Sequence, residues 1–232
     1  MICWANSLRD CGGGNSREHY VSRGIFDREL ITVSGFDWCK EQPTQIGLGA
    51  AVAKILCRKH NSALSKFDSE AAMLSMYLLD QVRNNPEGNG CLTLNGQHLE
   101  KWALKTAINL AYLGAFGNSG RVPTDEHLGI LFRGRSVPDG MGLYLVSGAL
   151  DSRFARAGLH WVDIRDTSSS QLVAVKFDLN GAQFLVCLVA ERADKKTFSD
   201  GVHSNVDIAY RPGQIMMEGQ VNAGNKVINL VW

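Results

Sequence analysis

The sequence predicts an α+β fold in three parts: a cysteine-rich head over residues 1–70, a helical region over 71–120 and an antiparallel β-rich region over 121–232. Three observations support this division. Four of the six cysteines fall within the first 57 residues. Apolar residues then recur at helical spacing, and after residue 128 they alternate in short runs that are typical of strands. With 232 residues, the chain is long enough to bury a sizeable hydrophobic core.

The middle region is predicted to form two helices that pack as a hairpin. Asp68 is placed to cap a first helix that runs to about Arg83. The glycine- and asparagine-rich stretch at 84–90 interrupts the helical pattern. Asn95 is placed to cap the second helix, and Gly114 is placed to end it. These positions predict a helical linker between the head and the C-terminal strands.

Six apolar runs in the last part of the chain predict an antiparallel sheet. The stretch DLNGAQ at 178–183 contains an Asn-Gly pair, which favours a tight hairpin turn between two neighbouring strands. The six predicted strands are GILFRG, GLYLVS, GLHWVDIRD, QLVAVKFDL, AQFLVCLVA and KVINLVW.

Charge and hydropathy exclude few classes of function. The net charge is +1, so the sequence neither indicates nor excludes nucleic-acid binding. No stretch approaches the 18 consecutive apolar residues of a membrane span, and no basic and apolar leader precedes the first cysteines. We therefore expect a cytoplasmic protein with reduced cysteines and no membrane contact. In LEKWALKT, we expect Glu100, Lys101 and Lys105 to face solvent.

The spacing of the early cysteines predicts a metal site. Cys3 and Cys11 form a first pair, and Cys57 and His60 form a second pair about fifty residues later. Three cysteines and one histidine are an accepted ligand set for tetrahedral structural zinc. Two alternatives stay open: Cys39 replaces one of the ligands, or the cysteines are buried for packing alone.

An acid and an imidazole lie side by side between the two ligand pairs. Closing the pairs around one ion makes the intervening segment a loop, which places Glu18 and His19 near the metal. Asn61 directly follows the last ligand. An imidazole is suited to accept a proton near neutral pH. The alternative interpretation is that Glu18 and His19 form an ordinary surface turn.

The order Cys, Cys, Glu-His, then Cys-x2-His-Asn resembles the HNH endonuclease family, also called ββα-metal or His-Me finger. The stretches that carry this resemblance are CWANSLRDCGGGNSREHYVSRGIF and AKILCRKHNSALSKFD. The resemblance covers residues 1–70, about a third of the chain. It is to the zinc-stapled form of the family, including uncharacterised bacterial members. It implies a ββα-metal head with structural Zn²⁺ bound by Cys3, Cys11, Cys57 and His60.

The resemblance also implies a reaction. His19 takes the role of general base, and Glu18 binds an ion or orients a ligand. Asn61 and Asp68 would hold a catalytic Mg²⁺ or Mn²⁺. The implied function is metal-dependent hydrolysis of phosphodiester bonds in DNA, with a role in bacterial defence or phage conflict.

Two departures from the family pattern support a competing hypothesis. The stretch GLGAAVAKIL lacks the asparagine that the family usually places before the second ligand pair. The final histidine of the motif is also missing, unless Asn61 or Asp68 replaces it. The alternative is a catalytically inactive, zinc-stabilised module that binds nucleic acid or protein.

Overall fold

The computed structural model describes residues 2–39, 41–83, 90–117, 122–146, 159–166, 168–190, 208–217 and 226–232. These residues form helices and several sheets, which confirms the α+β class. The elements are β1 (Asn15–His19), β2 (Leu30–Val33), β3 (Thr44–Gly47), β4 (Val52–Cys57), α1 (Arg58–Arg83), β5 (Gly90–Asn95), α2 (Gly96–Tyr112), α3 (Asp125–Phe132), β6 (Gly142–Val146), β7 (Leu159–Arg165), β8 (Leu172–Leu179), β9 (Ala182–Cys187), β10 (Ile208–Tyr210), β11 (Gln214–Met217) and β12 (Lys226–Val231).

The head is built on two paired strands, β1 and β4, which we call the ribbon. They run antiparallel, with Asn15 opposite Cys57 at one end and His19 opposite Val52 at the other. The hairpin of β2 and β3 lies between them in the chain, and α1 follows β4 directly. The head therefore has the order strand, strand, helix around an inserted hairpin. Its assignment as a ββα-metal unit stays a prediction.

Helix α1 begins ten residues earlier than Asp68, so the predicted cap is wrong. The helix starts at Arg58, where the backbone N–H of Arg58 donates to Gly14 O and that of Lys59 donates to Gly12 O. The loop before β1 thus supplies the acceptors that an unpaired helix start needs. Residues 84–89 of the break predicted at 84–90 lie outside the described residues, and Gly90 begins β5.

Helix α2 agrees with its prediction at both ends. Asn95 precedes it and its side chain accepts a hydrogen bond from the N–H of His98. Gly114, with φ of 80°, follows its last turn. The helix packs against α1, as a hairpin should, but the unpredicted strand β5 lies between the two in sequence.

One predicted strand is a helix. The run at 129–134 lies largely in α3, whose start is fixed by Thr124 and His127. The Thr124 hydroxyl accepts from the His127 N–H, and the His127 ring accepts from the Thr124 N–H. This reciprocal cap outweighs the strand-like composition of the run.

The C-terminal sheet is antiparallel as predicted, with strand order β10-β6-β9-β8-β7. Asn180 and Gly181 have φ of 50° and 94° and join β8 to β9 in the predicted hairpin. The predicted strand at the end of the chain joins another sheet. There β12 pairs antiparallel with β11 and parallel with β5.

One hydrophobic cluster connects these parts. It extends from Cys3 and Trp4 through α1 and α2 to Leu230 in β12. Across the described ranges, every helix is too short or too polar to cross a membrane.

Candidate metal centre and the polar cluster beside it

The structure brings the four predicted zinc ligands together. The ligand atoms of Cys3, Cys11, Cys57 and His60, which we call the metal group, all lie within 4.8 Å of one another. His60 Nδ1 is 3.4 Å from Cys3 Sγ, 3.7 Å from Cys11 Sγ and 3.2 Å from Cys57 Sγ. Tetrahedral zinc bonds to sulfur and nitrogen place those two atoms about 3.6 Å apart. The metal group therefore has the composition and dimensions of a site that binds a metal ion such as zinc.

Local structure explains how three separate segments reach one point. Cys57 ends β4 and His60 lies in the first turn of α1, so their side chains share one face of the helix start. The backbone N–H of Trp4 donates to Ile55 O at 3.0 Å, which ties the segment carrying Cys3 to β4. The bond from Lys59 N–H to Gly12 O holds the loop that carries Cys11.

The electrostatics of the thiols favour a bound cation. Partial desolvation and the neighbouring thiols of Cys3 and Cys57 raise the pKa of Cys11 to about 12. Burial opposes ionisation of Cys57, but N–H donors from His60 and Gly12 outweigh it and lower the pKa of that thiol. Three thiolates this close repel one another unless a divalent cation lies between them.

Asp10 is a functional residue that sequence reasoning missed. Its Oδ1 lies 2.9 Å from His60 Nε2, and its Oδ2 lies 2.6 Å from Lys59 Nζ. Hydrogen bonding from Nε2–H to the carboxylate leaves the Nδ1 lone pair facing the thiols, which is the tautomer that can bind a metal. The Lys59 hydrogen bond is the main cause that lowers the pKa of Asp10. The one sequence signal was the position of an acid beside Cys11.

The alternative ligand Cys39 lies outside the metal group. It is 3% exposed and follows Phe36, whose carbonyl accepts the Cys39 N–H at 2.8 Å. Its thiol is close enough to Tyr20 to contribute to the raised pKa of that phenol.

Two predicted site residues, Glu18 and Asp68, bind a lysine that we expected to face solvent. Lys105 Nζ lies 2.8 Å from Glu18 Oε1 and 2.9 and 3.1 Å from the two carboxylate oxygens of Asp68. The Asn61 side chain hydrogen-bonds Glu18. We call Glu18, Asn61, Asp68 and Lys105 the polar cluster. Burial raises the pKa of Glu18, and the Lys105 charge opposes that rise.

The expectation that LEKWALKT exposes its charges was wrong for two residues. Glu100 and Lys105 are each 1% exposed, because α2 is covered on several sides. A further link holds the polar cluster from outside: Trp102 Nε1 donates to Ser22 Oγ at 2.9 Å, and that hydroxyl donates to Asp68 Oδ1 at 2.5 Å. Glu100 and Lys105 flank apolar residues that include Trp102, and this was the available signal.

His19 lies at the far end of the ribbon from the metal group rather than beside it. It is four positions along the strand from Asn15, which pairs with Cys57, and that separation spans about 13 Å. Its Nε2 is buried, and the described residues supply no hydrogen-bond partner for it. Burial lowers the pKa of His19, and the nearby charges of Arg23, Lys105 and Arg17 lower it further. The imidazole is therefore neutral at neutral pH.

The polar cluster is a poor fit to the catalytic Mg²⁺ or Mn²⁺ that the resemblance implies. Both carboxylates already bind the Lys105 ammonium, which lies where an ion between them would have to lie. Within the described part of the chain, the metal group alone combines three or more Cys, His, Asp or Glu side chains at metal-site distances. The structure thus supports one metal site.

No protein-family model, curated protein or solved structure matches the chain.

Proposed function

We propose that the chain is an HNH-type endonuclease that hydrolyses phosphodiester bonds in DNA, with a structural zinc in the metal group. The observation that carries this proposal is His19: a neutral imidazole next to the polar cluster, whose Nε2 has no hydrogen-bond partner among the described residues. A structural histidine of this burial normally satisfies both ring nitrogens. A base must keep one nitrogen available for the proton that it abstracts.

In the proposed reaction, a water molecule attacks phosphorus in line and gives a proton to His19. The P–O bond to one sugar oxygen breaks on the opposite side, and the departing alkoxide takes a proton from solvent. The four side chains of the metal group would supply all the ligands of a tetrahedral zinc, as in structural sites. Zinc would therefore hold the start of α1 against the ribbon and take no part in the chemistry. Glu18 precedes His19 in β1, so its bond to Lys105 fixes the strand that carries the base.

The resemblance implies metal-dependent hydrolysis, with Asn61 and Asp68 as ligands of the catalytic ion. Because Lys105 already neutralises Glu18 and Asp68, we assign no step to that ion. The same observation favours the second candidate function. A head whose carboxylates are bound to a buried lysine would serve as a zinc-stabilised module that binds nucleic acid or protein without cutting it.

The first prediction tests His19. Plasmid DNA is incubated with the zinc-loaded protein, with and without Mg²⁺ or Mn²⁺, and nicking is followed on gels. His19→Ala should lower the nicking rate by about 10²–10⁴-fold, the usual contribution of a general base. Since the pKa of His19 is lowered, the rate should be constant above pH 7 and fall in acid, with its inflection below pH 6.5.

His160→Ala is the matched control, because His160 is exposed on β7. It should nick DNA at the wild-type rate. Equal nicking by wild type and His19→Ala would remove the catalytic assignment. Tight DNA binding without nicking by any form would favour the binding module.

A further inference from the structure

Two arginines contact the two segments that flank the β2–β3 hairpin. Arg17 Nη2 donates to Gly49 O at 3.3 Å, and Arg23 Nη2 lies 2.7 Å from Glu29 Oε1. The N–H of Leu48, the residue before Gly49, donates to Glu29 O at 2.6 Å. The residues that accept hydrogen bonds from Arg17 and Arg23 therefore lie on two segments that a backbone hydrogen bond joins.

The segment that contains Gly49 lies at the His19 end of the ribbon. Gly49 precedes Val52 by three residues, and Val52 is the strand partner of His19. Arg17 precedes His19 by two residues in β1, and Arg23 follows it by four. Both guanidinium charges are near enough to the imidazole to lower its pKa, which agrees with this placement.

The buried charges near His19 neutralise one another, whereas the exposed charges near it include two arginines. Inside, the two carboxylates of the polar cluster are bound to Lys105. Outside, Arg17 is exposed, and the Arg23–Glu29 pair has side-chain exposures of 60% and 76%. A salt bridge exposed to this degree contributes little, so an anionic ligand can replace Glu29 at Arg23 without a large penalty.

We propose that Arg17 and Arg23 form a phosphate-binding site beside His19 that takes the phosphodiester backbone of a nucleic acid. The planar guanidinium fork matches two phosphate oxygens, and a second arginine adds charge and further N–H donors. A phosphate held there lies at the His19 end of the ribbon. The choice of nucleic acid as the source of the phosphate rests on the proposed function.

The second prediction tests this site by binding alone. A fluorescent DNA duplex is titrated with the full, zinc-loaded chain without other divalent ions, and anisotropy is followed over a series of NaCl concentrations. Arg17→Gln and Arg23→Gln should each weaken binding several-fold and lower the slope of log K against log salt by about one. Arg23→Lys, which keeps the charge, should restore the slope. Zinc content and circular dichroism establish that each variant is folded.

Arg133→Gln is the matched control. Arg133 is exposed after α3, outside the ribbon, and its loss changes the net charge by the same amount. It should leave affinity and slope unchanged. Wild-type binding by both Arg17→Gln and Arg23→Gln would overturn the proposal, and so would an equal loss in Arg133→Gln.

Two further outcomes separate the site from the reaction. Weakened binding in both variants together with a wild type that never nicks DNA would leave the phosphate site standing and remove the nuclease proposal. Nicking by the wild type with unchanged binding in the variants would remove the phosphate site and leave the nuclease proposal standing. If inorganic phosphate shifts the His19 imidazole signals in NMR while no oligonucleotide binds, the ligand is a free phosphate and the nucleic-acid assignment fails.

Discussion

At the scale of single residues, the metal group shows what spacing can and cannot predict. Cys57 and His60 are three residues apart, and ligands at that spacing share a helix face wherever the helix begins. The contact of Asp10 with His60 Nε2 was not predictable in the same way, because it depends on where two side chains point after the loop has folded. The ligands were predicted from sequence, and their orienting partner was not.

The third prediction concerns Asp10. Asp10→Asn should lower zinc affinity by about 10–100-fold, because the carboxylate no longer fixes the tautomer and orientation of His60. Competition with a chromophoric zinc chelator measures this directly and needs no enzymatic assay. Glu41→Gln, an exposed change outside the metal group, should bind zinc as the wild type does. Equal zinc affinity in Asp10→Asn would show that the Asp10–His60 contact has no orienting effect.

At the scale of elements, helix α2 connects the head to the C-terminal sheet through two buried charges. Lys105 binds Glu18 in β1 and Asp68 in α1. Glu100, just over one turn earlier, accepts from the Leu143 N–H in β6 and lies 3.0 Å from Arg211. The helix itself was predictable from its apolar spacing and its Asn95 cap. Its charged contacts were not, because helical spacing alone does not show which side of a helix a neighbouring element will cover.

The fourth prediction concerns Lys105. Lys105→Met keeps a similar volume but leaves two carboxylates without their cation, so denaturant unfolding should show a loss of about 3 kcal/mol. Asp68 is 32% exposed, so its share of the loss is the smaller one. Glu18→Gln should recover part of the stability of Lys105→Met. Lys101→Met, a partly buried lysine on the same helix, is the control. A loss in Lys105→Met no larger than that in Lys101→Met would contradict this role.

At the scale of the whole molecule, the metal group is continuous with the hydrophobic core. The His60 ring packs on Phe132 of α3 at 4.8 Å, and Trp4, next to Cys3, packs on the same ring at 5.6 Å. Trp4 Nε1 also donates to Asn109 Oδ1 in α2. The sequence predicted a head over residues 1–70. It contains no local signal for these long-range contacts, because they depend on the complete fold.

The fifth prediction follows from that continuity. Removal of zinc with a chelator should lower the thermal unfolding midpoint of the whole chain, because Cys3, Trp4 and His60 leave the core together. Circular dichroism should show one transition that moves to lower temperature. Added Zn²⁺ should restore the midpoint, and added Mg²⁺ should not. A midpoint that is unchanged after metal analysis has confirmed zinc loss would show that the core does not depend on the ion.

The parallel pairing of β5 with β12 has a consequence for the order in which the chain can fold. All four residues of the metal group lie within the first 60 positions, so a modest loop closure brings them together. Gly90 instead pairs with Lys226, and this contact must wait until more than a hundred intervening residues have been synthesised. Contacts of such long sequence separation form slowly. During that interval β5 has no neighbour on the side that β12 will cover, and its unpaired backbone groups can pair with the wrong strand.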